Sequence, residues 1–482
     1  MGLFSFFKKR DKAELPPLRF HNTLSGNLDV FEPLSRSQVS MYNCGPTVYD
    51  EQHIGNLKAY IFADTLRRVL NLWGYKVRQV INITDVGHLV SDADEGEDKM
   101  EASAKKQGLR AQDIAERVTD LFFKDLDQVG IDRSKIQFPR ATKFIAEQIA
   151  LVKALWEKGY AYQIDDGIYF DTAKFKEYGK LGHIDLEHLK EGARVEENMQ
   201  KKSPHDFALW KFSKKGEKRQ QEWKSPWGKG FPGWHIECTA MIFKLLGKQI
   251  DIHTGGIDHI PVHHNNEIAQ AEAITGKQYV RYWMHGAFIT IEGKKISKSL
   301  GNTVYLRNII DRGYSARALR YLFLTAHYRT PMNFTWEAME GASQALSRLS
   351  RTFLELPQGG SVPEQFKKEL YAALSNDLDT PSAIARVWEF TKDTTVSPAG
   401  KRAGILLADR VLGLGLSDAR PSATIKVVEK SDLPEEVQTL MEEREAARKA
   451  KEFEKADELR KKIEGAGYEI KDLPERSEVV KK

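Results

Sequence analysis

Residues 37–43 (SQVSMYN) alternate like a strand and run into a glycine- and proline-rich turn, YNCGPTVYDEQHIGN at 42–56. Beyond the turn, Ala63, Leu66, Leu70 and Trp73 recur at helical spacing, and Gly74 closes that helix. Residues 76–83 (KVRQVINI) read as a buried strand ending at Thr84 and Asp85. This pattern predicts a strand–helix–strand unit with polar residues at the strand ends. Open parallel sheets bind ligands at the carboxyl ends of their strands, and Cys44 and Thr84 both fall there.

Residues 86–98 (VGHLVSDADEGED) form an acidic stretch, read as a solvated loop. From 110 to 225 helical spacing mixes with short strands such as DDGIYFDT at 165–172, and KKGEKRQQEWK at 214–224 reads as exposed loop. A second half-sheet follows. KQIDI at 248–252 is strand-like and leads into His253, Gly255 and Gly256. RYWMHGAFITI at 281–291 reads as one β-rich run, leading through Glu292 and Gly293 into KISKS at 295–299. From 306 onward the pattern is helical, with a loop at Pro357–Ser361, a linker at 421–434 and a strongly charged helix at 435–464. There are no internal repeats.

Composition narrows the class. A chain of 482 residues holds several domains, and 41% hydrophobic with 29% charged residues is ordinary for a globular protein. The net charge of +5 permits a nucleic-acid partner without demanding one. Two cysteines cannot make a disulfide framework, which points to a reducing compartment and predicts a cytoplasmic protein. No run approaches eighteen apolar residues, so no membrane span is expected. The start, MGLFSFFKKRDK, is too short for a signal peptide, and Phe6 breaks the myristoylation pattern, so a frayed terminus is expected.

Two constellations carry chemistry. In the first, Cys44 stands nine residues before His53, and the other cysteine, Cys238, is 194 residues away. A thiol beside a histidine can serve as a nucleophile with its base. A lone thiol is also often a small core residue. The other reading is a metal site. His263 and Glu267 are four apart, which on a helix puts both on one face, and with Cys44 and Cys238 they make a Cys₂-His-Glu set of zinc-ligand types. In the second constellation, His53 and Asn56 can donate to phosphate oxygens, Gly55 removes a Cβ from the approach, and the following helix turns its positive end toward phosphate. Lys295 and Lys298, with serines between and after them, suit a loop that neutralises pyrophosphate.

HIGN at 53–56 and KISKS at 295–299 resemble the HIGH and KMSKS motifs of class I aminoacyl-tRNA synthetases. CGPTVYD, NITD, PGWHIECTAM, DIHTGGIDHIPVHHNNEIAQ and KKISKSLGN are similar to the cysteinyl-tRNA synthetase family, as are NDLDTPSAIA and ARKAKEFEKADELRKKIEGAG farther on. The resemblance implies an α/β Rossmann-like catalytic domain split by a connective insertion and followed by α-helical tRNA-binding domains. The implied divisions are 1–140 and 226–305 for the two catalytic halves, 141–225 for the insertion, 306–400 for a stem-contacting helical domain and 401–482 for the anticodon-binding region.

The resemblance also assigns residues. Cys44, Cys238, His263 and Glu267 fall on the family's zinc ligands. Thr84, Trp234, His253 and Asp258 fall on residues lining the cysteine pocket. His53, Asn56, Lys295 and Lys298 fall on the catalytic motifs, with His53, Gly55, Asn56 and Lys298 toward ATP. Implied partners are ATP with Mg²⁺, L-cysteine and tRNA(Cys). Zinc would read the thiolate, since shape alone separates cysteine from serine by only about 1–3 kcal/mol. The chain departs from the family at Asn56, where HIGH ends in histidine, and at Ile296, where KMSKS has methionine. Residues 86–98 are longer than the usual connection, and PERSEVVKK at the end differs from the family's ending.

Overall fold

The computed structural model describes residues 15–87, 98–184, 199–214, 216, 219–297, 300–418, 433–450, 452–472 and 477–481. Lys298, Ser299, most of the acidic stretch (88–97), residues 1–14 and most of the expected linker (419–432) lie outside that set. The chain forms two compact units, 1–416 and 417–482.

The centre of the first unit is a five-stranded parallel sheet. Its strands in chain order are β1 (Gln38–Asn43), β2 (Lys76–Ile81), β3 (Ile136–Gln137), β4 (Ile250–Gly256) and β5 (Val280–Gly286). In space they run β5-β4-β1-β2-β3. The chain therefore builds outward from β1 on one side, then returns to add β4 and β5 on the other. The crevice between β1 and β4 is the topological switch point, where such sheets bind ligands. Register there pairs Tyr42 with His253 and Asn43 with Thr254.

Helix α1 (Ile54–Leu72) connects β1 to β2. It begins well before Ala63, because Ile54, Leu57 and Ile61 are buried and extend the apolar stripe to the turn. The turn itself depends on Gly45. A Cβ there would lie 1.6 Å from the Asn82 carbonyl oxygen. Without one, residues 46–48 run beside 82–84, with Val48 N–H donating to Thr84 O (3.1 Å) and Thr84 N–H donating to Pro46 O (3.0 Å).

Between β3 and β4 the chain makes a second, antiparallel sheet of five strands, ordered Ala161–Ile164, Gly167–Phe170, Phe207–Phe212, Gly228–Pro232, Trp223–Ser225. The expected insertion boundary at 225 falls inside this sheet. Helix α2 (Trp234–Leu245) then leads to β4, and α3 (Asn265–Thr275) joins β4 to β5.

The run 281–291 is two strands rather than one. β5 ends at Gly286, and Ile289–Ile291 pairs instead with Met332–Phe334 and Lys294–Lys295. Glu292 and Gly293, with φ of 48° and 75°, make the tight hairpin turn that brings Lys295 opposite Thr290. Helices follow at Leu306–Asp311, Ala316–Leu324, Trp336–Glu355, Glu364–Ser375, Thr380–Lys392 and Pro398–Leu412.

In the second unit the charged segment 435–464 is two helices, Glu435–Lys449 and Phe453–Gly465, followed by a hairpin of Tyr468–Asp472 with Ser477–Lys481. One straight helix would leave its apolar residues in water. Folding back lets Val437 and Met441 bury against Ile463, and Ala447 against Ala456 and Leu459. No described helix is long and apolar enough to cross a membrane.

Candidate functional site

Cys44 follows β1 directly, its N–H donating to Thr254 O on β4 (3.1 Å). Cys238 lies in α2, whose N-cap Gly233 passes so close to the strand Phe207–Phe212 that a Cβ there would meet Ala208 O at 2.0 Å. His263 closes a π-helical turn, Ile260–His264, and Glu267 sits in the first turn of α3. Such π turns recur at functional sites. The ligand-type atoms of Cys44, Cys238, His263 and Glu267 all lie within 4.8 Å of one another. Tetrahedral zinc asks for ligand–ligand separations of roughly 3–4 Å, so the set fits such an ion. Cys238, His263 and Glu267 are buried and Cys44 is half-buried.

The four groups polarise one another. Burial first, then the hydrogen bond to Cys238, pushes the Cys44 thiol up, and that same bond draws the Cys238 thiol down. Burial works against ionisation of His263 and Glu267. Contacts with Cys238 and Glu267 nevertheless raise His263 to about 10, and His253 with His263 hold Glu267 at about 2. Glu267 Oε1 lies 3.1 Å from His263 Nε2 without forming a hydrogen bond, and the buried His253 Nδ1 has no hydrogen-bond partner among the described residues. Orphaned acceptors beside two thiols are what a cation site leaves when described without its ion.

Around this set, Trp234 stacks on the His263 ring (centroids 4.5 Å, 30°). His253 Nε2 bonds Glu267 Oε2 at 3.1 Å and its ring stacks on Trp283. Thr84 is buried and its hydroxyl donates to Glu237 (3.4 Å) while accepting from Asn82 Nδ2 (3.0 Å). Asp258 is exposed at the rim, on the turn Ile257–His259, rather than packed against the four.

Sequence reasoning missed several neighbours. His264 Nε2 lies 3.2 Å from Cys44 Sγ, its Nδ1 is 2.8 Å from His285 Nε2, and His285 Nδ1 is 2.7 Å from Thr23 Oγ1. His264 and Cys44, with His253 and Glu267, form a second group of ligand-type atoms within 4.8 Å. In that group, however, both His264 nitrogens are already engaged. His235 Nδ1 meets His263 Nδ1 at 2.9 Å, which fixes the His263 ring with Nε2 toward Glu267. The signal was histidine density. Six of the chain's 13 histidines (235, 253, 259, 263, 264 and 285) gather here. Gly255 permits it, since a Cβ there would meet His264 at 2.6 Å and His259 at 2.7 Å.

The second constellation is assembled on the first turn of α1. His53 is the N-cap, and it forms a reciprocal box with Asn56. Asn56 N–H donates to His53 Nδ1 (3.3 Å), and His53 N–H donates to Asn56 Oδ1 (3.1 Å). With Nδ1 accepting, a neutral His53 ring carries its proton on Nε2. The space left by the missing Gly55 Cβ is taken by the His53 ring and by Ile296, whose Cδ1 would lie 3.2 Å from such an atom. Ile296 thus brings the lysine loop onto the HIGN turn. The far side of the loop is held too, with Ile54 N–H donating to Val304 O (2.9 Å) and His53 bridging Tyr305. Lys295 is exposed, and Asn302 Nδ2 donates to its carbonyl (3.0 Å).

Comparison with known proteins agrees with this architecture. Residues 30–344 match the model for the catalytic domain of class I (C) tRNA synthetases, and 430–479 match the cysteinyl-tRNA ligase anticodon binding domain. The chain is 48% identical to a cysteine–tRNA ligase 1 of Burkholderia lata, covering 95% of this chain and 96% of that one. It is 40% identical to a cysteine–tRNA ligase of Treponema denticola, covering 94% and 98%. In fold it is similar to Mycobacterium tuberculosis methionyl-tRNA synthetase in complex with methionyl-adenylate (TM-score 0.53, 14% identity, covering 78% and 90%). It is also similar to an Agrobacterium radiobacter LeuRS in a ternary complex with tRNA (TM-score 0.56, 13% identity, covering 81% and 86%). The chain belongs to the cysteine–tRNA ligase family of the class I tRNA synthetases.

Proposed function

We propose that this chain activates L-cysteine with ATP and transfers it to the 3′ end of tRNA(Cys). In the first step the cysteine carboxylate attacks the α-phosphate of ATP, giving cysteinyl-adenylate and pyrophosphate. In the second, the terminal adenosine hydroxyl takes the cysteinyl group and AMP leaves. The observation that carries the reading is the meeting of two thiols, an imidazole and a carboxylate at the switch point of a parallel sheet, in a chain of this family.

Cys44, Cys238, His263 and Glu267 would hold one zinc ion. Bound there, the ion would supply selective affinity for a thiolate over an alcohol. The residues around it act by placement. Trp234 packs one face of the His263 ring, and His253 braces the Glu267 carboxylate. Thr84 and Asp258 complete the proposed amino-acid pocket, Asp258 from the rim. Near the phosphates, His53 Nε2–H and the Asn56 amide donate to oxygens, and the positive end of α1 adds to the field; no acidic residue in its first turn opposes it. Lys295 and Lys298 offset the charge of the leaving pyrophosphate, and Mg²⁺ accompanies the nucleotide. No protein nucleophile is needed, because alignment and charge stabilisation suffice for this displacement. Cys44 is thus assigned to the metal and His53 to the phosphates. Residues 401–482 are proposed to face the anticodon, and the protein is proposed to work in the cytoplasm.

Charging of a tRNA(Cys) transcript with labelled cysteine and ATP tests the reading. Cysteine-dependent, tRNA-dependent incorporation is expected. Absence of charging by the metal-loaded protein would overturn it. Selection of cysteine over serine that survives complete zinc removal would overturn the role given to the metal.

A further inference from the structure

Lys58 lies on α1, two residues beyond Asn56, and only 6% of its surface is exposed. Its ammonium donates to Ala287 O at 2.7 Å and Tyr328 O at 3.3 Å. It forms no ion pair among the described residues, and burial pulls its pKa down to about 8. A buried cation held only by carbonyls is costly, so its partners are informative.

The two carbonyls belong to the two segments that feed the small sheet carrying Lys295. Ala287 precedes the strand Ile289–Ile291, and Tyr328 precedes Met332–Phe334. These strands pair side by side, and Ile289–Ile291 pairs on its other edge with Lys294–Lys295. Ala287 N–H also donates to Tyr328 O (2.9 Å), so Nζ sits where the two segments first join. One turn along α1, Phe62 stacks on the Tyr328 ring (4.3 Å, 6°), and the Tyr328 hydroxyl donates to Asp377 (2.6 Å). A single helix thus caps itself with His53 at its first turn and grips the root of the Lys295 hairpin with Lys58 at its second.

We propose that Lys58 is a positioning residue for cysteine activation, holding the Lys295 hairpin in register with His53 so that the lysine charge and the His53 N–H meet one triphosphate. This rests on the function proposed above. Lys58 itself touches no substrate. Removing it lets the hairpin root shift against α1, and a displacement of about 1 Å at reacting groups can cost on the order of a hundredfold in rate.

The test is a double-mutant cycle on the metal-loaded full chain, read by cysteine-dependent pyrophosphate exchange. Lys58→Met is expected to lower kcat by about tenfold to a hundredfold, with KM for cysteine within about twofold. Lys58→Arg, which keeps the donor, is expected to recover most of the loss. In a Lys295→Ala background, Lys58→Met is expected to add little, since the group it places is gone. Should Lys58→Met not fold, Lys58→Gln, which keeps a neutral donor but loses the reach and charge, takes its place in the same cycle and must show the same non-additivity. Full additivity with Lys295→Ala, or an unchanged kcat, overturns the proposal. Wild-type protein without exchange activity would instead overturn the proposed function, so the two failures are distinct.

Discussion

Two clusters of buried charge stand in the first unit, and they are solved in opposite ways. Around Asp64, three guanidinium groups close on one carboxylate. Arg67 pairs with it directly, Arg68 Nε reaches it at 2.6 Å and Arg320 at 2.7 Å. Arg320, fully buried, spends its other donors on Leu412 O (2.5 Å) and Val129 O (3.2 Å). Both carboxylate oxygens are answered within the protein, although Arg67 Nε is left without a hydrogen-bond partner among the described residues, and the cluster locks α1 to Ala316–Leu324 and Pro398–Leu412. At the switch point, by contrast, two thiols, a carboxylate and a crowd of histidines face one another with acceptors left over. A cluster whose one carboxylate is saturated by guanidiniums is structural. An incomplete one of soft and nitrogen donors points to a ligand from outside.

That contrast can be broken by substitution. The largest effect is expected from Cys238→Ala, which should abolish stoichiometric zinc in metal analysis. Cysteine activation should fall by more than the roughly 10–100-fold typical of an outer-shell loss, with the thermal midpoint of the metal-free protein little changed. Next, Asp64→Ala should leave three guanidiniums without their carboxylate and cost about 3–5 kcal/mol in urea unfolding, without altering zinc content.

Acid separates the clusters as well. Burial alone would raise Asp64, but Arg320, Arg68 and Arg67 hold it near 2, below its ordinary 3.8. Its folded pKa is therefore depressed. The stability it contributes, about 2 kcal/mol, is present above pH 4 and lost as pH falls toward 2. Asp64→Asn should flatten that part of the unfolding profile. The smallest effect belongs to Asn56→Ala, which removes one half of a helix cap and should cost about 1 kcal/mol. Its pyrophosphate exchange should fall further than this stability loss explains if the amide also meets phosphate.

Much of the fold was legible in the sequence. The alternation at 37–43, the helical spacing past Ala63 and the apolar run at 76–83 mark β1, α1 and β2, and local pattern is enough for that. Cys44, Cys238, His263 and Glu267 were named from spacing and resemblance, and the structure brings their ligand-type atoms together. What stayed hidden depends on register between distant segments. His285 reaches His264 because β5 lies parallel to β4 with Gly255 opposite His285, and no local signal encodes that offset. The break between Glu435–Lys449 and Phe453–Gly465 carries neither proline nor glycine, so only burial of both stripes reveals it. Nothing in the local sequence singles out Lys58, whose ammonium is received by two carbonyls more than two hundred residues away.

The anchoring of the lysine loop at both ends has a kinetic meaning. Ile296 rests against Gly55 and the Val304 carbonyl binds Ile54, so both flanks of the lysine loop are fixed to a single turn of α1. Under the proposed function, a cation carried between two such anchors would reach the triphosphate without long excursions of the chain. Its effective concentration at the helix end would be of the millimolar order typical of short linkers, whatever the dilution of the protein. Under the proposed function, nucleotide capture would then become an intramolecular event once ATP has met His53.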